Sequence, residues 1–191
     1  MGAERTFWRV MSILKTFGAG VLACSLSAPG PAIAAGAFGG AFAHNVELPT
    51  TIGSPEGGVN FQFGARSAPV AEVLKGELRP YLFGSVNSGR GLNFAAAGVA
   101  ARFRLGDRFY VQPGLGAAIH DGAGGRASRG DGRLYLGSRV LAQLELMLGW
   151  RVTDRLSIEA GQVHLSHAKL LGPQNPGLDE LGVRLIWKLS D

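Results

Sequence analysis

Apolar and polar side chains alternate with a period of two through one segment after another between residues 59 and 189. Successive side chains of an extended strand point to opposite faces, so a chain written this way is committed to β-sheet with one apolar and one polar face. In residues 59–66, Val59, Phe61, Phe63 and Ala65 share one face while Asn60, Gln62, Gly64 and Arg66 share the other. Residues 93–105 set Ala95, Ala97, Val99, Ala101, Phe103 and Leu105 against Gly98, Arg102 and Arg104. Residues 108–120 and 134–151 repeat the theme, the latter with Leu134, Leu136, Val140, Leu144, Leu146, Leu148 and Trp150 on the apolar face. Further strands are expected at 77–87, 156–166 and 178–189, and a weaker one at 42–48 brings the number to eight.

An even number of amphipathic strands fits two architectures, a soluble sandwich or lipocalin-like barrel with the apolar face inward, and an outer-membrane barrel with that face toward lipid. Gly and Ala are abundant on the polar face, and Arg and Glu recur there as a filled polar interior requires. The expectation is therefore an all-β, eight-stranded antiparallel outer-membrane β-barrel. Pro80 and Pro113 fall within strands, where each removes a ladder donor, and are expected at local bulges. Short connections at 105–108 and 153–154 alternate with long ones at 120–133 and 167–177, the pattern of periplasmic turns and extracellular loops. The connection 67–76 is long for its side, and a short helical turn at 71–74 is expected there.

The N-terminus adds a compartment. Arg5, Arg9 and Lys15 precede a small, apolar stretch from Thr16 to Ala28, followed by Ala32-Ile33-Ala34, the order of a secretory signal ending in an A-x-A cleavage site. Residues 1–34 are read as that signal and 35–191 as one barrel domain. The rival reading acylates Cys24 in Val21-Leu22-Ala23-Cys24, but Leu22 stands where a small residue is usual. Cys24 is the single cysteine, so a chain cut after Ala34 has no internal disulfide. The formal net charge is +5, and two of those charges belong to the signal. The remaining Arg residues are dispersed, which argues against a nucleic-acid partner.

Chemistry concentrates in His164-Leu165-Ser166 and Asn175-Pro176-Gly177-Leu178-Asp179. Strand parity puts His164 and Ser166 on the outward face with Leu156, Ile158, Ala160 and Gln162. In the last strand Asp179 shares the outward face with Leu181, Val183, Leu185 and Trp187, whereas Glu180 points inward. Residues two apart on one strand face are roughly 6.5 to 7 Å apart at Cα, which brings an imidazole within reach of a hydroxyl. A nucleophile, its base and an orienting acid can thus meet on one patch of the wall. A metal pair of His164 and His167 finds no further His or Cys nearby, and no G-x-S-x-G, Walker or H-E-x-x-H motif occurs. Arg129-Gly130-Asp131 is an adhesion-like tripeptide in an expected loop.

These residues, with Ala168, Leu181-Gly182-Val183 and Leu136-Gly137-Ser138-Arg139-Val140, resemble the PagL family of lipid A 3-O-deacylases. The resemblance implies a serine esterase of lipopolysaccharide that needs no cofactor or metal, lies in the outer membrane and faces its outer leaflet. It assigns Ser166 as nucleophile, His164 as general base and Asp179 as acid, with the adjacent Glu180 as the alternative, and Asn175 as a supporting loop residue. Where the family usually carries Asn after the nucleophile, this chain has His167, so the oxyanion falls to the His167 ring or to backbone amides near Ala168. Implied partners are lipid A and membrane lipid, with a homodimer left open. Lys169, Arg126 and Arg129 are candidates for lipid A phosphates on charge and location alone. The alternative functional class is a noncatalytic structural or adhesive barrel.

Overall fold

The computed structural model of the protein describes residues 34–48, 56–122, 133–167 and 176–189. Among them the strands are β1 (Ala34–Ala43), β2 (Val59–Ser67), β3 (Ala71–Val73), β4 (Gly76–Asn87), β5 (Phe94–Arg104), β6 (Phe109–His120), β7 (Val140–Arg151), β8 (Leu156–Ser166) and β9 (Leu178–Lys188). All but β3 form an eight-stranded antiparallel barrel in the order β2-β1-β9-β8-β7-β6-β5-β4, closed by a ladder between β4 and β2. We call the end where β8 finishes and β9 begins the upper end, and the end of the short turns at Asp107 and Asp154 the lower end.

Burial is inverted relative to a soluble barrel, and this decides between the two architectures. Leu82, Leu115 and Ile119 are 61%, 62% and 62% exposed, while Glu159 and Arg184 are 0% and 1% exposed. An apolar surface this continuous costs free energy against water and none against hydrocarbon. Phe109 and Trp150 stack at 6.4 Å on the outer wall of the lower end, where Trp187 is also exposed, as in the aromatic girdle of a membrane barrel.

The lumen is filled in two layers. In the lower half Arg184 donates to Glu145 and Glu159, Arg66 donates to Glu159, and the Tyr110 hydroxyl donates to Glu159 at 2.8 Å. Buried charges persist only when partnered in this way. Tyr110 lies flat against Gly149, its partner across the β6–β7 ladder, and a Cβ at Gly149 would overlap the ring. The upper half packs an apolar cluster of Phe42, Phe83, Phe94, Val163, Leu165 and Leu178 beside the buried polar side chains of Asn60, Gln62 and Glu180.

Four expectations need correction. The first strand is Ala34–Ala43, not 42–48, and begins at the expected cleavage point. Its small residues lie on both faces and only Phe38 and Phe42 carry the alternation, so it lacks the β-branched signal of the others. The strand expected from 134 starts at Val140, because Gly137 takes a φ of +78° and turns Leu134 and Leu136 inward, where they are 3% and 0% exposed. The connection 67–76 contains no helical turn. Instead β3 pairs with the start of β4 through Leu74 and Lys75, both at positive φ, the geometry of a two-residue type I′ hairpin. Neither proline sits at a bulge: Pro80 pairs with Val99 in unbroken register, and the β5–β6 ladder keeps one register on both sides of Pro113, omitting only the rungs of Gln112 and Pro113.

Candidate active site

The site is built on the upper ends of β8 and β9, whose ladder sets His164 directly opposite Asp179. His164 Nδ1 lies 2.8 Å from Asp179 Oδ1. An ionised carboxylate only accepts, so the imidazole donates from Nδ1 and keeps the lone pair of Nε2 for another proton. Asp179 is fully buried and the His164 side chain is 14% exposed, so the carboxylate is sealed beneath the imidazole.

Gln162, on the diagonal of the same ladder, donates its amide to Asp179 Oδ1 at 2.5 Å. Diagonal neighbours lie about 7 to 8 Å apart at Cα, a span that a Gln side chain covers. The Asp179 carbonyl accepts from the Val46 amide at 2.9 Å, which ties the start of β9 to the chain leaving β1. The acid is therefore fixed by side chain and backbone together.

Ser166 follows on the same face of β8, partly exposed, and its ladder partner on β7 is the small Ala142. The hydrogen bond of His164 runs to Asp179, and none joins His164 to Ser166 in the structure. Catalytic hydrogen bonds without substrate are often long and tighten only in the complex. Beside the site the wall is apolar, with Leu144 opposite His164 and Leu181 opposite Gln162, both exposed.

Glu180 points into the lumen. It accepts from Gln62 Nε2 at 2.8 Å and faces His44 Nδ1 at 3.4 Å, on the far side of the wall from His164. His44 also lies 3.5 Å from Glu56. Burial alone would lower the His44 pKa, but the neighbouring carboxylates of Glu180 and Glu56 outweigh it and raise the value from 6.5 to about 9. A charged His44 thus braces β9 from within, immediately behind the acid that faces outward.

His167 is buried, and its Nε2 lies 2.9 Å from the Leu136 carbonyl. Leu136 is itself buried, so the inward turn at Gly137 and the chain after Ser166 are pinned together. Ala168 and Asn175 lie outside the described residues, as do Arg126, Arg129 and Lys169. Among the described residues no group of three or more His, Cys, Asp or Glu side chains is placed to hold a metal ion. The residues that sequence reasoning gave no role are Gln162 and His44. Strand parity put Gln162 on the correct face, but its partner appears only once the β8–β9 register is known.

Residues 73–188 match the family described as Lipid A 3-O-deacylase (PagL). The chain belongs to the PagL family. The match runs from β3 to the end of β9 and contains His164, Ser166 and Asp179. Among solved structures, the outer membrane enzyme PagL superposes with a TM-score of 0.57 at 17% identity, over 80% of this chain and 99% of that one. That likeness establishes the outer-membrane barrel fold for this PagL-family chain. The Yersinia pestis outer membrane protein Ail gives a TM-score of 0.41 at 10% identity, over 81% of this chain and 99% of that one. No curated protein sequence matches.

Proposed function

We propose that this PagL-family barrel is a serine esterase that removes the ester-linked 3-hydroxyacyl chain from the 3-O position of lipid A. The observation that carries the reading is the 2.8 Å bond between His164 and buried Asp179, with Ser166 two residues along the same lipid-facing strand face. A wall that exists only to span the membrane gains nothing from an imidazole and a carboxylate there. A charged group on the lipid face costs roughly 2 to 4 kcal/mol at the midplane and about 0 to 1 near the interface, which suits a site at the strand ends. With the long connections outside, that level is the outer leaflet, where the acyl esters of lipopolysaccharide lie.

In the proposed reaction His164 Nε2 takes the proton of Ser166 Oγ as the oxygen attacks the ester carbonyl. Asp179, held by Gln162, stabilises the imidazolium that forms. The tetrahedral intermediate collapses, its C–O bond to the sugar breaks, and His164 returns the proton to the departing hydroxyl. Water, deprotonated by the same imidazole, then cleaves the acyl enzyme to release the 3-hydroxy fatty acid and restore Ser166. Because the His167 ring is engaged by the Leu136 carbonyl, backbone amides from His167 onward are the better donors for the oxyanion.

The test is mass spectrometry of lipid A from cells producing the wild type or Ser166→Ala, each shown to be a folded barrel in the outer membrane. Loss of one hydroxyacyl mass with the wild type alone supports the reading. Unchanged lipid A with both proteins, or equal deacylation by Ser166→Ala, overturns it.

A further inference from the structure

The lower end of the barrel holds a second feature, about one strand length from His164. A partly enclosed cavity of about 360 Å³ opens there, with Arg66, Arg79, Arg102, Arg104, Arg151 and Arg155 in its wall and Asp154 as the acid among its lining residues. The cavity lies at the low end of the range that holds small ligands, about 300 to 1,000 Å³.

Positive charge exceeds negative at each depth. Innermost, Arg66, Arg102 and Arg184 share two carboxylates, Glu145 and Glu159. Above the rim, Arg79 and Arg104 share the single carboxylate of Glu77. At the rim the Arg151 guanidinium donates to the neutral carbonyl of Asp107 at 2.7 Å, and the Arg155 side chain has no hydrogen bond or ion pair among the described residues. Arg108 and Asp107 occupy the adjoining turn and cancel in charge. A second observation points to a ligand. The Arg66 side chain is only 3% exposed, yet its Nε has no hydrogen-bond partner. A buried guanidinium N–H left unpaired costs free energy that an oxyanion in the cavity recovers.

We propose that this cavity is a binding site for a phosphate-bearing anion. Guanidinium groups present forked donors that match phosphate oxygens two at a time, and six of them converging around one volume favour phosphate over a single carboxylate. Arg66 and Arg102 line the inner part of the cavity, and Arg151 at the end of β7 and Arg155 in the turn that follows line its rim. The source is either a soluble phosphate compound or the headgroup of an anionic phospholipid reaching over the rim, and both present the same chemistry.

The experiment is calorimetric titration of the full, folded protein in zwitterionic micelles with diphosphate, beside the double variant Arg151→Ala/Arg155→Ala. Both substitutions lie on the lower rim, away from the ladder beneath His164, and heat-modifiable gel mobility confirms folding. One saturable site in the wild type, weakened about tenfold or more in the variant, is the expected result. Repeating the titration in micelles containing phosphatidylglycerol separates the sources, because a headgroup site is then occupied and diphosphate no longer registers. A soluble-anion site still binds it. Absence of saturable binding in zwitterionic micelles, or equal binding by wild type and variant, overturns the proposal.

Discussion

His164 and Asp179 occupy one rung of the β8–β9 ladder, and their side chains meet at 2.8 Å on the outer wall of the barrel. Replacing the acid tests what that rung does. Asp179→Asn preserves shape but lets the amide present its N–H to Nδ1, which favours the wrong imidazole tautomer. An effect on the order of 10⁴ in kcat is expected by analogy with other triads. Glu180→Gln, on the luminal side, is expected to leave kcat within a few fold. The check is lipid A turnover in micelles by both variants, and equal losses would dissolve the distinction between the neighbouring acids.

Gln162 holds Asp179 by a hydrogen bond and makes none to His164 or Ser166 in the structure. Gln162→Leu is expected to lower kcat by about ten- to a hundredfold, in line with the loss of one hydrogen bond to a charged group, about 1.5 to 3 kcal/mol. KM should stay unchanged, and the lower limb of the pH–rate profile should shift. A purely structural contribution would move the unfolding midpoint and leave that limb where it is.

His44 gives the upper end a dependence on alkali. Its pKa is raised in the folded state to about 9 from an ordinary 6.5, so its contribution to stability is complete below about 6.5 and is lost as pH rises through about 9. The midpoint of denaturant unfolding should fall across that window in the wild type more steeply than in His44→Gln. Parallel curves for the two proteins would show that the Glu180 and Glu56 contacts do not hold the charge.

Arg184 donates to both luminal carboxylates, at 2.7 Å to Glu159 and 3.0 Å to Glu145. Arg184→Met leaves Glu145 buried with Arg66 alone, at 3.8 Å, and a loss of roughly 3 to 5 kcal/mol is expected. Denaturant titration of the refolded variant reads that loss directly. The double variant Arg184→Met/Glu145→Gln should recover much of it, because it neutralises the carboxylate left without a close partner while Glu159 keeps Arg66 and Arg102.

What the sequence could disclose depended on bulk and parity. Strands carrying Phe61, Leu115, Leu146 or Val183 were legible because a large apolar side chain at every second place has one physical reading. β1 was not, since small residues on both its faces blur the contrast between them. The hairpin at Leu74 and Lys75 was hidden as well, because two residues held at positive φ are ordinarily Gly, Asn or Asp. At the site, parity alone put Asp179 beside His164 and sent Glu180 inward. Gln162 has no such signature: its bond to Asp179 follows from the register between two strands, which no single strand encodes.

The packed lumen bears on the cell as well as on the molecule. Arg184, Glu145, Glu159, Gln112, Gln143 and Met147 occupy the middle of the barrel with almost no accessible surface. A wall of this circumference with a solid centre offers small solutes no continuous water path. A bacterium can therefore insert many copies of this chain without making its envelope leaky to antibiotics or bile salts, which an open cylinder of wider bore would admit.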